Sequence, residues 1–228
     1  MGKLFYDIGW WYAIINAYPV QWLFFKRKTY YEDGIKNKSW KNGGALVISN
    51  HYNVIDYMLN TFLVLPRKLN VVAGEVAYRN KFMHWGMKFF GGIQANRVTR
   101  DMSFIDKSAE VIAKGQLVQI FPEGRNTPDG NIHPFKKSYI VISHRANAPI
   151  IPIISDGNYG FFKRTHVIVG KPIYISDYIS SDVRMPTKAQ LETVNEIVFN
   201  KVLELKQRLE ELKSSKKHKK SQKKKEKQ

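Results

Sequence analysis

Cysteine is absent from the 228 residues. That excludes disulfides, thiolate nucleophiles and cysteine metal sites, and makes a reducing compartment the default. Acidic residues are scarce, 19 against 37 lysines and arginines, for a formal net charge of +18. No G-x-S-x-G occurs anywhere in the chain, which excludes the serine nucleophile elbow. Nor is there an uninterrupted apolar stretch of spanning length. The most apolar one, Met1 to Phe25, is broken by Asp7, Asn16, Pro19 and Gln21.

What is present is a chain long enough for one α/β domain with short appendages. Its hydrophobic fraction of 43% supports a sizeable core. The positive charge is partly local. Lys213 to Gln228 holds nine lysines and one acid, Glu226, so the tail carries +8 and the body +10. The tail has no apolar periodicity, and its dense like charge predicts a disordered segment over 213–228, either a solvated tail or an attraction to anionic lipid. For the body the matching partners are nucleic acid, an anionic membrane surface or an acidic protein.

The N-terminal stretch lacks a small-residue cleavage site, so it does not read as a secretory signal. Tyr6 stands where myristoylation wants Ser or Thr. As a continuous helix, Leu4 to Phe25 would reach roughly 33 Å. A charge within hydrocarbon costs about 2.5–3.5 kcal/mol, however, and Pro19 breaks or kinks a helix. Trp10, Trp11, Tyr12, Tyr18 and Trp22 suit the headgroup region, and Lys26, Arg27 and Lys28 close the segment with a basic anchor. Residues 1–28 therefore predict an interfacial helical segment lying on the membrane, at its cytoplasmic face. The alternative is a helix packed on the domain.

Between 29 and 212, strand signals alternate with helix signals. Strands are expected at Ala45–Ser49, Leu69–Ala73, Gly92–Asn96, Leu117–Phe121, Ile150–Ile154 and Thr165–Val169. Helices are expected from Asp56, over Lys81–Phe90, Met102–Lys114 and Lys136–Arg145, and over Val194–Leu212. This order implies an α/β fold with a mostly parallel central sheet flanked by helices. Residues just past strand C-termini gather at one sheet edge. His51 and Glu123 both stand there.

Four blocks could carry chemistry. In Asn50-His51-Tyr52-Asn53-Val54-Ile55-Asp56, a strand-to-helix turn can bring His51 and Asp56 together. The aspartate then holds one imidazole nitrogen and leaves the other as a base. No further ligand stands at metal spacing beside them. In Phe121-Pro122-Glu123-Gly124-Arg125-Asn126-Thr127, a charged turn after a strand offers Arg125 as a phosphate fork. Gly91-Gly92-Ile93-Gln94-Ala95-Asn96-Arg97 offers Arg97 as a second phosphate ligand, and Ala148 to Ile153 is a proline-bearing apolar strand. Singly, each also reads as an ordinary polar turn or edge strand.

In this order, the four blocks resemble the 1-acylglycerol-3-phosphate acyltransferase family and its wider glycerolipid acyltransferase relatives. Asn50, His51 and Asp56 match N-H-x-x-x-x-D. Gly92, Ile93 and Arg97 match the second motif, Phe121 to Gly124 match F-P-E-G-T-R, and Pro149 to Ile153 match the fourth. The likeness spans about Tyr30 to Lys171. Two departures stand out. Arg125-Asn126 replaces Thr-Arg, and Lys136-Lys137-Ser138 stands where relatives often have Lys-Gly.

The resemblance implies that His51 deprotonates the free hydroxyl of a lysophospholipid while Asp56 orients it. That hydroxyl attacks a thioester of coenzyme A or acyl carrier protein. It also implies that Arg97 and Arg125 hold the phosphate, and that Glu123 with Gly124 orders the acceptor pocket. Neither a metal nor any other cofactor, nor an acyl-enzyme, is implied. Alternatives are a different lysophospholipid headgroup, or a basic binder without catalysis. Nucleic acid fits less well, because the aromatics sit in apolar segments rather than among base-reading positions.

Overall fold

In the computed structural model, residues 3–32, 42–96, 101–127 and 129–225 are described, with side chains from 7 to 215 within those ranges. The strands are β1 (Lys28–Tyr31), β2 (Ala45–Ser49), β3 (Leu69–Gly74), β4 (Gly92–Ala95), β5 (Leu117–Ile120), β6 (Ile150–Ser155) and β7 (His166–Val169). They form one sheet in the order β1-β7-β6-β2-β5-β3-β4. Every neighbouring pair is parallel except β6 and β7. The expected mostly parallel α/β sheet is therefore the observed one.

The helices are α1 (Lys3–Val20), α2 (Asp56–Val64), α3 (Lys81–Phe89), α4 (Ser103–Ala113), α5 (Ser138–Ala146) and α6 (Lys188–Lys225). Alternation along the strands divides the core. Leu46 and Ile48 face α4, α5 and α6, where they meet Ile112, Ile140 and Val198. Ala45 and Val47 face the other way, onto Leu59 and Phe62 of α2 and Trp10 and Ile14 of α1. Both faces of the central strands are thus covered, as an all-parallel centre requires. Each fully buried Leu, Ile or Phe contributes about 1.5–3 kcal/mol to that arrangement.

Two elements differ from the sequence reading. β1 is an edge strand with half-buried residues, and it pairs in parallel with β7. Its four residues, Lys-Thr-Tyr-Tyr, lack the apolar run that would announce it. α6 begins at Lys188 and continues to Lys225, across the stretch expected to be disordered. No glycine or proline interrupts it there, and lysine is a good helix former.

α1 carries features of both readings offered for it. Trp10, Ile14 and Phe25 are buried against the domain, while Ile8, Tyr12, Ile15, Tyr18 and Trp22 remain exposed. Asp7, the charge that argued against spanning, pairs with Lys68. After Pro19 the chain widens to a π-helical turn over Gln21–Phe25 and stops at Lys26, whose φ is 41°. Among the described residues no helix is long and apolar enough to cross a membrane.

Candidate active site

The centre of the sheet builds the site. Ile48 of β2 pairs with Ile120 of β5, and three residues beyond each stand His51 and Glu123. Equal spacing past paired strands brings them to the same edge. Asn50, buried at the end of β2, locks that edge to β6. Its amide donates to the Ser155 carbonyl and its carbonyl accepts from the Ser155 N–H, both at 3.0 Å.

From Asn50 the chain turns into α2. His51 Nδ1 lies 3.0 Å from Asp56 Oδ2. The same oxygen accepts the Asn53 N–H at 2.8 Å, so the turn and the pair are made by one carboxylate. The other oxygen, Oδ1, accepts the Tyr159 hydroxyl. Asp56 is only 1% exposed. A carboxylate only accepts, so Nδ1 carries the proton and the Nε2 lone pair is left free. The imidazole lies flat on Phe121, with ring centroids 3.9 Å apart and planes at 15°. Two independent contacts, ring on ring and nitrogen on carboxylate, therefore fix its orientation.

Glu123 is a tie between loops. Oε1 accepts the His51 backbone N–H at 3.2 Å. Oε2 accepts the Thr127 hydroxyl at 3.1 Å and the His133 N–H at 2.9 Å. Thr127 closes the ring by donating its N–H to the His51 carbonyl at 2.7 Å. At 4% exposure this carboxylate is a buried acceptor with three donors. Gly124 follows with φ +68°, and a Cβ there would stand 3.0–3.1 Å from the Lys136 side chain. The turn thus favours glycine for its left-handed backbone, while the flexible Lys136 chain would have to give only slightly.

His51, Phe121, Gly124, Arg125 and Asn126 line a cavity of about 420 Å³ whose other walls include Val54, Val71, Val72, Met83 and Met87. A second cavity of about 470 Å³ lies across Phe121 and Gly124, lined by Asn96, Met102, Phe104 and Lys136. Arg125 Nη2 is 3.3 Å from His133 Nδ1, and His133 Nε2 is 2.9 Å from Asp129. The structure therefore brings His51, Asp56, Glu123, Gly124 and Arg125 together. Arg97 lies outside the described residues.

Sequence reasoning missed Tyr159 and Lys136 as members of the site. Tyr159 sits 103 positions from Asp56 in an unremarkable Gly-Asn-Tyr-Gly turn. Burial pushes its hydroxyl well above the ordinary tyrosine value, with the Asp56 charge adding to the effect. It is therefore a donor to Asp56 across the neutral range. Its loop is held close because Gly157, at φ +64°, lies on the Tyr52 ring, where a Cβ would be 2.4 Å away. In the sequence Lys136 stands out at a helix start and in the Lys136-Lys137-Ser138 departure from Lys-Gly, but not as a site residue. Its signal was adjacency to the Glu123-Gly124 turn through the N–H that it donates to Pro122 O at 2.8 Å.

A buried aspartate, an oriented imidazole with one free nitrogen, an apolar cavity and a cation at its rim suit proton abstraction from an amphiphilic hydroxyl. Residues 26–156 match the acyltransferase family model. A 1-acyl-sn-glycerol-3-phosphate acyltransferase of Bacillus subtilis is 23% identical over 176 residues, covering 75% of this chain and 85% of that protein. A chloroplast 1-acyl-sn-glycerol-3-phosphate acyltransferase of Brassica napus is 26% identical over 175 residues, 72% of this chain and 48% of the relative. This chain thus spans about half the length of that relative.

Among solved structures, the 1-acyl-sn-glycerophosphate acyltransferase PlsC of Thermotoga maritima superposes with a TM-score of 0.58. It is 19% identical, and the match covers 84% of this chain and 74% of that one. The fold is shared.

Proposed function

The chain belongs to the acyltransferase family, and from that premise we propose that it acylates the free hydroxyl of 1-acylglycerol-3-phosphate to give phosphatidic acid. His51 Nε2 takes the hydroxyl proton as the oxygen attacks the thioester carbonyl of acyl coenzyme A or acyl carrier protein. The tetrahedral intermediate collapses, the carbon–sulfur bond breaks, and the imidazolium returns the proton to the leaving thiolate. Asp56 holds the imidazole and stabilises its charged form. A positioned base of this kind contributes about 100- to 10,000-fold. The observation that carries the reading is the free Nε2 of a histidine fixed on a buried aspartate, beside a cavity with an arginine at its rim.

Arg125 and Arg97 hold the acceptor phosphate in this reading, while Glu123 and Gly124 shape the turn that presents Arg125. The walls at Val71, Val72, Met83 and Met87 take an acyl chain. The protein works on the cytoplasmic face of an anionic membrane. The exposed aromatic side of α1 and the exposed Phe82 and Trp85 of α3 support that placement, as does the net charge of +18. Interfacial tryptophan and basic residues favour this position.

A second reading, acylation of another lysophospholipid such as lysophosphatidylethanolamine, is favoured by one observation: Arg125 precedes Asn126 where the family motif has Thr then Arg. Both are tested by incubating the protein in vesicles with each lysolipid and each thioester donor, and identifying products by mass spectrometry. Phosphatidic acid from lysophosphatidic acid is the expected product. Release of no thiol from either donor would overturn the acyltransferase reading.

A further inference from the structure

The loop between β6 and β7, residues 156–165, has an inner and an outer side. Its inner side belongs to the site through Tyr159. On its outer side stand Phe161 and Phe162, at 59% and 101% exposure. Two adjacent phenylalanines in water are costly to a soluble surface. The loop is nevertheless well tied. Asp156 Oδ1 accepts the Asn158 N–H at 3.2 Å and the His166 N–H at 3.0 Å. Gly160 and Thr165 donate to the carbonyls of Phe24 and Phe25 at 3.0 and 2.8 Å. The phenylalanines are presented by a built turn that is stitched to the end of the N-terminal helical segment.

The turn touches a second element that also exposes apolar side chains. Phe161 meets Phe24 edge-on at 5.6 Å between centroids. Next to Phe24 in the sequence, Trp22 and Leu23 are exposed, as are Tyr18, Ile15 and Tyr12 of α1. Basic residues flank the pair: Lys163 and Arg164 on the loop, and Lys26 at the end of the segment, all exposed. The apolar part projects rather than forming a groove, and the charges beside it match anionic headgroups. A projecting aromatic tip with a basic collar fits an interface between hydrocarbon and water.

We propose that the β6–β7 loop is a bilayer contact in its own right, with Phe161 and Phe162 entering an anionic lipid surface alongside Trp22. The inference rests on the membrane placement given above and adds a contact outside the N-terminal segment. It also puts lipid contact three residues from Tyr159, so the element seated on the membrane is the one whose hydroxyl holds Asp56.

The absence of cysteine makes the test direct, because single-cysteine variants take one label each. Phe162→Cys, Trp22→Cys and Ser181→Cys are labelled with an environment-sensitive nitrobenzoxadiazole group. Ser181 lies near Ala148, at the opposite end of β6. Vesicles of phosphatidylcholine and phosphatidylglycerol are then added. Labels at 162 and 22 should brighten and shift to the blue, and the label at 181 should not. A response at 22 without one at 162 overturns the loop contact and leaves the membrane placement standing.

No response at either, with no co-sedimentation, overturns both. A response at 162 to an acidic acyl carrier protein but not to vesicles would make the loop a protein-docking surface and refute the proposal. Phe162→Ser should weaken vesicle partition about tenfold or more, as burial of an aromatic ring implies, with the melting temperature unchanged. Unaltered partition would count against it.

Discussion

Replacing Glu123 by glutamine separates a tie from a substrate contact. The carboxylate has three donors pointing at it: the His51 N–H, the Thr127 hydroxyl and the His133 N–H. Glutamine keeps the shape but turns one oxygen into an NH2 group. With that group toward His51, two donors face each other and the His51 backbone N–H is left unpaired. With it toward Thr127 and His133, the hydroxyl can rotate away but the His133 N–H cannot.

Either orientation strands at least one buried donor, at about 1–3 kcal/mol. For a chain of this size that lowers the melting temperature by roughly 2–12 °C. The loop bearing His51 shifts with its tie, and a displacement near 1 Å costs on the order of 100-fold in rate. Thermal unfolding and kcat/KM with lysophosphatidic acid, measured on the same preparation, read both effects. Loss of activity at an unchanged melting temperature would refute the tie and make Glu123 a direct contact to the acceptor. No change in either would refute both roles.

Asp56→Asn should lower kcat/KM by about 100- to 10,000-fold. The amide can turn its NH2 toward the Tyr159 oxygen and keep its carbonyl for His51, so charge is lost before orientation. Adding Tyr159→Phe removes that accommodation, and a double-mutant cycle on kcat/KM should show coupling between the two sites; additivity would contradict the shared arrangement. A separate test concerns acid stability. Burial pushes the Glu32 carboxyl up, but hydrogen bonds from the Lys201 ammonium and the Lys171 N–H overcome this and hold it below its ordinary value. Its stabilising effect is then complete above the ordinary carboxylate range and is lost as pH falls through the lowered value. Urea midpoints measured across that acid range should fall less steeply in Glu32→Gln than in the parent.

Much of this arrangement is legible in the chain because the central strands are short apolar runs with turns at fixed places. Ala45–Ser49 and Leu117–Ile120 were plain for that reason, and their parallel pairing then placed His51 and Glu123 at one edge. β1 was hidden because an edge strand needs only half-buried residues, and Tyr30 and Tyr31 do not distinguish it from a loop. The continuation of α6 past Leu212 was hidden because a lysine run has no apolar period to read, although it has the propensity to stay helical.

Within the site, the His51–Asp56 pair was visible because both members sit in one turn. The Asn50–Ser155 and Asp56–Tyr159 contacts were invisible because each joins residues more than a hundred positions apart. Only the sheet order brings β2 beside β6.

His51→Ala is the most direct measurement of the central claim. The variant removes the one nitrogen assigned to the acceptor proton and leaves Asp56 with its hydrogen bonds from Asn53 and Tyr159. Acyl transfer from thioester to lysophosphatidic acid, followed by mass spectrometry, should fall by about 100- to 10,000-fold, with circular dichroism and vesicle partition retained. Parental turnover in a folded, membrane-bound His51→Ala protein would contradict the account.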